Sequence, residues 1–192
     1  MRTLIYTAFV SLDGVVDSPG GGEQETHRSA GWTFQDLDWV EEAYEIKGRE
    51  QEEAEAMMFG RVSYQAFAPV WPGMEEFARY KDLPKYVVST SLRTGDLVDN
   101  WGEITILRSL DDVAKVKEGE GGPIIIHGSA TLARNLSDAG LLDRYHLLVF
   151  PVLLGAGKRM FSETDKDKQM LALTESESYR NGIQKLVYDV VH

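Results

Sequence analysis

The chain has 192 residues, 43% hydrophobic and 27% charged, enough for one domain with a full core and short for two. Its 20 Lys and Arg stand against 31 Asp and Glu, a formal charge of −11 that argues against nucleic acid or an anionic membrane as the main partner. There is no cysteine, hence no disulfide, thiolate nucleophile or Cys-based zinc site. No apolar run approaches the ~20 residues that span a bilayer, and the N-terminus lacks a signal-peptide pattern, so a cytoplasmic protein without a metal is expected.

In chain order, Thr3 to Val10 alternates like a strand and ends in Ser11-Leu12-Asp13-Gly14. Val15 to Thr26 is a loop, because Pro19 to Gly22 suits neither a helix nor a central strand. From Asp36 the pattern predicts an amphipathic helix with Leu37, Val40, Tyr44 and the stem of Lys47 along one stripe, capped by Asp36 or Asp38. Glu23 to Glu55 holds eleven acidic residues against Arg28, Lys47 and Arg49, which is expected to form a solvated helix face. Ala56 to Phe59 is a buried strand bounded by Gly60, followed by a helix to about Phe67, a rigid PVWPG loop over 69–73 and a short helix over 74–82. Strands are expected over 85–90 and 102–107, with a helix over 110–117 between the second of these and a turn at 119–122.

The most organised stretch is Pro123 to Phe161. Ile124 to Ile126 forms a strand covered on both faces, His127-Gly128-Ser129 turns the chain, and Ser129 is placed to cap a helix to about Ala139. Gly140 suits the helix C′ position, and Tyr145 to Val152 is the next strand. Two last strands, 169–179 and 183–191, are joined by an Arg180-Asn181-Gly182 hairpin. The sum is α/β: about eight strands in a mostly parallel mixed sheet, helices on both faces, a C-terminal antiparallel hairpin, and a single domain over 1–192.

Ligands of such sheets bind beyond the carboxyl ends of the strands. Three small-residue turns fall there: Gly60-Arg61-Val62-Ser63, Ser89-Thr90-Ser91 and Gly128-Ser129-Ala130-Thr131. A glycine turn before a helix presents unpaired N–H groups to an anion, and two such sites on neighbouring strands would suit a dinucleotide. A G-x-G-x-x-G fingerprint after the first strand is absent, so a dinucleotide would bind differently from the Rossmann manner.

Five segments, SLDG, MMFGRVSY, KYVVSTS, IIIHGSATLARNL and LLVFPVLLGAGKRMF, together resemble the dihydrofolate-reductase-like superfamily, and within it the reductase domain of bifunctional riboflavin-biosynthesis deaminase–reductases. The resemblance implies an NADPH-dependent reductase of a heterocyclic small molecule, usually a homodimer. The substrate would be 5-amino-6-(5-phosphoribosylamino)uracil or a pterin or dihydrofolate. It places Ala8 near the nicotinamide, Gly60, Arg61 and Ser63 on the pyrophosphate side, and Ser89, Thr90 and Ser91 on the adenosine side. Gly128, Ser129, Ala130, Thr131 and Leu132 would form the second phosphate turn. The deaminase half is missing, and the family's glutamate before the turn glycine is replaced by His127.

Hydride chemistry needs a proton donor beside the substrate. Asp13, Asp36 (or Asp38) and His127 are the candidates, and each also fits a capping or strand-end role. Trp32, Tyr64 and Trp71 could stack on a planar ring or pack the core, and Lys158 could meet a substrate phosphate or water. Two other readings stand beside the reductase: a nucleotide-binding regulatory or stress protein without turnover, and an α/β domain whose acidic helix meets a protein partner.

Overall fold

Apolar runs closed by glycine, proline or hydroxyl residues become the strands of a single sheet. The computed structural model describes residues 1–20, 27–161 and 168–192. Its strands are β1 (Leu4–Ser11), β2 (Ala56–Gly60), β3 (Lys85–Val88), β4 (Ile104–Leu107), β5 (Ile124–His127), β6 (Arg144–Phe150), β7 (Leu171–Ser178) and β8 (Gln184–Val190). The helices are α1 (Glu45–Glu53), α2 (Arg61–Phe67), α3 (Leu110–Glu118) and α4 (Ala130–Asp138). The order across the sheet is β4-β3-β2-β5-β1-β6-β8-β7. All pairs from β4 to β6 are parallel, and β8 joins β6 and β7 in antiparallel register.

The parallel centre is buried on both faces, which is why β2 and β5 are nearly unbroken apolar runs. Alternate residues of β1 go to opposite sides. Leu4, Tyr6, Ala8 and Val10 pack with Val113 of α3 and Leu132, Ala133 and Leu136 of α4. Ile5 faces the other way, with Met57, Phe59, Ile125, Tyr64 of α2 and Trp101. A third cluster on that second face joins Trp32, Ala43, Ile46, Leu148, Phe150 and Val187. Each large side chain so buried contributes roughly 2 kcal/mol of transfer free energy.

Helix ends depart from the sequence-based expectation in two places. The amphipathic helix begins at Glu45, after a 3-10 turn over Glu41–Tyr44, and not at Asp36. Asp36 is exposed with φ 58°, and neither it nor Asp38 caps the helix. The β7–β8 hairpin explains this: Asn181 donates to the Asp38 carbonyl at 2.9 Å and Arg180 to that of Trp39 at 3.4 Å, occupying acceptors a helix would need. Ser129 stands at the N-cap of α4 but in the left-handed region, φ 57°, and makes no capping bond. The other end of α4 follows expectation: Gly140, φ 67°, donates to Ser137 and Leu141 to Leu136, a Schellman closure.

The short helix expected over 74–82 is a 3-10 segment, Glu75–Tyr80. It is turned into β3 by Lys85, whose fully buried amine donates to the carbonyls of Tyr80, Lys81 and Leu83 at 2.5, 2.6 and 2.8 Å. The loop expected over 15–26 is described only to residue 20, and 21–26 lie outside the described residues.

Candidate functional site

Because β3, β2 and β5 are adjacent and parallel, their carboxyl ends place the three small-residue turns side by side on one edge of the sheet. The turns after β2 and β5 are interlocked. Gly60 N–H donates to Ser129 Oγ at 2.8 Å, and Ser129 N–H donates to Ser63 Oγ at 2.8 Å. The left-handed Ser129 is therefore committed to its neighbour and not to its own helix. Gly128 precedes it at φ 56°, and a Cβ there would lie 3.1 Å from Ser63 Oγ and 3.4 Å from the Phe67 ring. Only glycine combines that dihedral with that approach.

Gly128 and Thr131 are exposed, so the first turn of the nine-residue α4 opens at the sheet edge where an anionic group can reach its amides. Ala130 and Leu132 are buried and serve the core. In the third turn Ser89 is buried, and its Oγ accepts from Ser91 and Leu92 N–H at 3.2 and 2.9 Å. Thr90 and Ser91 are exposed above it. Arg108, which follows β4, fixes the same turn by donating to the carbonyls of Ser89 and Leu92. Arg61 is exposed and pairs with Gln65, and Arg93 pairs with Asp96. If a dinucleotide is bound, the glycine turns and the first turn of α4 are the groups that would face its phosphates, and Thr90 and Ser91 those on the adenosine side.

His127 ends β5 at the mouth of this edge, half-buried, with Nε2 3.1 Å from the Tyr80 hydroxyl. Trp71 stacks between Phe67 and Phe77 (4.3 and 4.2 Å) and meets the imidazole edge-on at 5.3 Å. Burial lowers the His127 pKa to about 4, against the nearby Glu50 carboxylate, which raises it. At neutral pH that lowered pKa leaves the ring uncharged.

The remaining expected residues are spread more widely. Asp13 clamps two loops: its carboxylate accepts from Ser11 Oγ at 2.6 Å, Leu154 N–H at 3.1 Å and Gly155 N–H at 2.7 Å. The Ser11 hydroxyl first, and then the Leu154 amide, lower its pKa to about 2, so it is ionised and has no proton to give at neutral pH. Asp36 stands exposed on the turn before α1. Trp32 is core, edge-on to Phe150 at 5.3 Å with its indole N–H on the Asp17 carbonyl. Tyr64 is buried, its hydroxyl accepting from Val98 N–H. Lys158 is exposed on the glycine loop, and Ala8 packs in the cluster under α4. Among the described residues no group of three or more His, Cys, Asp and Glu could hold a metal ion.

Beside His127 lies a constellation that the sequence did not reveal. Thr7 is paired with His127 on one side and His146 on the other, so a polar row crosses β5, β1 and β6 between the two apolar clusters of that face. Helix α1 lowers Lys47 and Glu50 onto it. Glu50 is fully buried, and its Oε1 accepts from Thr7 Oγ1 at 2.7 Å and pairs with His146 Nδ1 at 3.0 Å. Lys47 Nζ bonds Thr7 Oγ1, lies 3.4 Å from Glu50 and sits 5.0 Å over the Phe9 ring. Burial raises the Glu50 pKa, but the Lys47 ammonium and the His146 bond outweigh it and hold the carboxyl well below its usual range. The expected solvated face of the acidic helix thus has an inward part. The signal available was a single polar residue inside each of two apolar strands, Thr7 in LIYTAFV and His146 in YHLLVF.

Comparison with known proteins agrees with this fold. Residues 2–185 match the family model described as the RibD C-terminal domain. The protein YyaP of Bacillus subtilis (strain 168), described as uncharacterized, is 26% identical over 191 residues, covering 97% of this chain and 94% of its own. YwjB of the same organism, also described as uncharacterized, is 24% identical over 181 residues, covering 88% and 87%. A putative riboflavin biosynthesis protein from Shewanella sp. PV-4 superposes with a TM-score of 0.72 at 18% identity over 99% of both chains. A pyrimidine reductase-like protein from Corynebacterium diphtheriae gives 0.61 at 14% identity over 99% of this chain and 92% of its own. At these identities the two solved structures speak to a shared fold.

Proposed function

The chain belongs to the RibD C-terminal domain family, with a dihydrofolate-reductase-like fold, and from that premise we propose that it is an NADPH-dependent reductase of a heterocyclic small molecule. One observation supports the reading most: three adjacent strand ends break into turns, two of them bonded to each other, at the edge where a dinucleotide would lie. The phosphates lie against the Gly60 and Gly128 turns, with Gly128 and Thr131 at the open first turn of α4. The adenosine meets Thr90 and Ser91. When bound, NADPH supplies a hydride, and the protein positions the acceptor and provides the proton.

The substrate ring lies on the Thr7–His127 side of the sheet, against Trp71, in this reading. The protein acts without a metal, as a homodimer in the cytoplasm, on a riboflavin-pathway aminopyrimidine or a pterin-like ring. Thermal-shift titration with NADPH and NADH tests the cofactor. Stabilisation by NADPH is expected, and no shift with either nucleotide would remove the proposal. Loss of dihydronicotinamide absorbance with dihydrofolate or the phosphoribosylaminouracil then separates an enzyme from a binder.

A further inference from the structure

We propose that Lys47 is the proton donor of this site and that Glu50 is its positioning residue; the inference rests on the reductase reading above. The obvious carboxylates and the histidine are less suited to the task. Asp13 is held ionised by a loop, Asp36 is on an exposed turn, and the His127 ring is uncharged at neutral pH beside Tyr80. Lys47 differs from all three. Its Nζ is carried from α1 onto Thr7 in the centre of the sheet, next in register to His127, while 21% of its side chain remains exposed.

Glu50 cannot itself meet a ligand, because it is fully buried and its Oε1 already serves Thr7 and His146. What it can do is hold the ammonium in place by charge and by the shared threonine. The groups facing Lys47 are thus Glu50 on its own helix, Thr7 and the Phe9 ring on β1, His127 on β5 with Tyr80 behind it, and His146 on β6 across the carboxylate. Farther along the same face the Arg49–Glu175 pair closes the row toward β7.

A cation fixed here selects a planar ring with an acceptor oxygen or nitrogen. The carbon of its C=N or C=O bond takes a hydride, with the electron pair, from the reduced nicotinamide. The π pair moves to nitrogen or oxygen, which takes a proton from Lys47 as the Nζ–H bond breaks. The neutral amine regains a proton from water, so each turnover consumes one reduced nicotinamide and one proton.

The absence of cysteine allows a clean test. Lys47→Cys carries the only thiol, and alkylation with bromoethylamine rebuilds an amine of nearly lysine length. The probes are dihydrofolate, lumazine and the phosphoribosylaminouracil, with binding followed by tryptophan fluorescence and turnover by NADPH oxidation. Lys47→Met is expected to bind the preferred probe at least about tenfold more weakly and to lose about 100-fold or more in kcat, with NADPH affinity within twofold of wild type. Lys47→Arg keeps KM and loses kcat, because guanidinium holds its proton. Aminoethylation restores turnover, and its basic limb follows the less basic amine to lower pH. Glu50→Gln lowers kcat with KM for the probe within about twofold, and Glu50→Asp recovers part of the lost turnover.

A folded Lys47→Met with wild-type probe binding and kcat would overturn the assignment, as would Lys47→Cys that recovers no activity on alkylation. NADPH binding with none of the probes reduced also overturns it and leaves the cofactor reading intact, whereas failure to bind NADPH removes the reductase reading itself.

Discussion

Ser63 and Ser129 tie two helix starts to one another: Ser63 Oγ accepts the Ser129 N–H, and Ser129 Oγ accepts the N–H of Gly60, both at 2.8 Å. Neither hydroxyl caps its own helix, and each satisfies an amide on the opposite strand end. Ser129→Ala leaves the Gly60 amide without its partner, and the expected cost is about 1–2 kcal/mol by chemical denaturation. NADPH binding should weaken in parallel, since both turns lose alignment. The double variant with Ser63→Ala should cost less than the sum of the single ones; strict additivity would show that the turns are not coupled.

Asp13 holds Ser11 and the Leu154 and Gly155 amides together, and a structural role is the expected outcome for it. Asp13→Asn keeps the shape but removes the charge from bonds to Leu154 and Gly155, so a loss of about 1 kcal/mol is expected. The pH dependence of turnover should keep its wild-type form. A collapse of kcat with stability intact would return Asp13 to the chemistry.

Lys85 carries a heavier structural duty. Its ammonium is the shared partner of three carbonyls and lies 5.0 Å from the centre of the Trp101 ring. Lys85→Met preserves the apolar stem and leaves those acceptors unpaired, for a loss of about 3 kcal/mol or more in thermal or chemical unfolding. A variant as stable as wild type would show that water replaces the amine without cost.

Acid should destabilise the protein in two overlapping windows. His127 has a folded pKa of about 4 against an ordinary 6.5, so between these values the unfolded chain binds the extra proton and stability falls as pH falls. Glu50, lowered in the folded state, contributes stability that is full above its ordinary 4.5 and is lost as pH drops below it. Thermal unfolding followed from pH 7 downward should decline first through the histidine window, and His127→Asn should flatten that part alone. An unchanged slope in the variant would assign the first window to another group.

Much of the fold was legible because its strands are short apolar runs closed by chain-breaking residues. MMFG, IIIHG and the RNG hairpin all fell where pattern put them. The start of α1 did not, because carbonyls 38 and 39 are taken by residues 180 and 181, a contact that no local pattern encodes. The three turns were likewise visible one by one, but the interlocking of two of them depends on β2 lying beside β5. The Lys47–Glu50–Thr7–His146 row was hidden for the same reason. Its members are ordinary in their own segments and converge only through the order β5-β1-β6.

That order has a bearing on how the chain is made. β1 is synthesised before every other strand of the sheet, yet Leu4 pairs with Ile124 and Ile5 with Arg144. The β2–β3–β4 edge can assemble from neighbours in sequence, while the strand at the centre waits for partners synthesised long after it. Closing such distant contacts is slow relative to local ones. An apolar strand kept unpaired until β5 and β6 are made is a target for chaperones and a hazard for aggregation. The row of Thr7, Lys47, Glu50 and His146 comes together only once β6 has docked on β1.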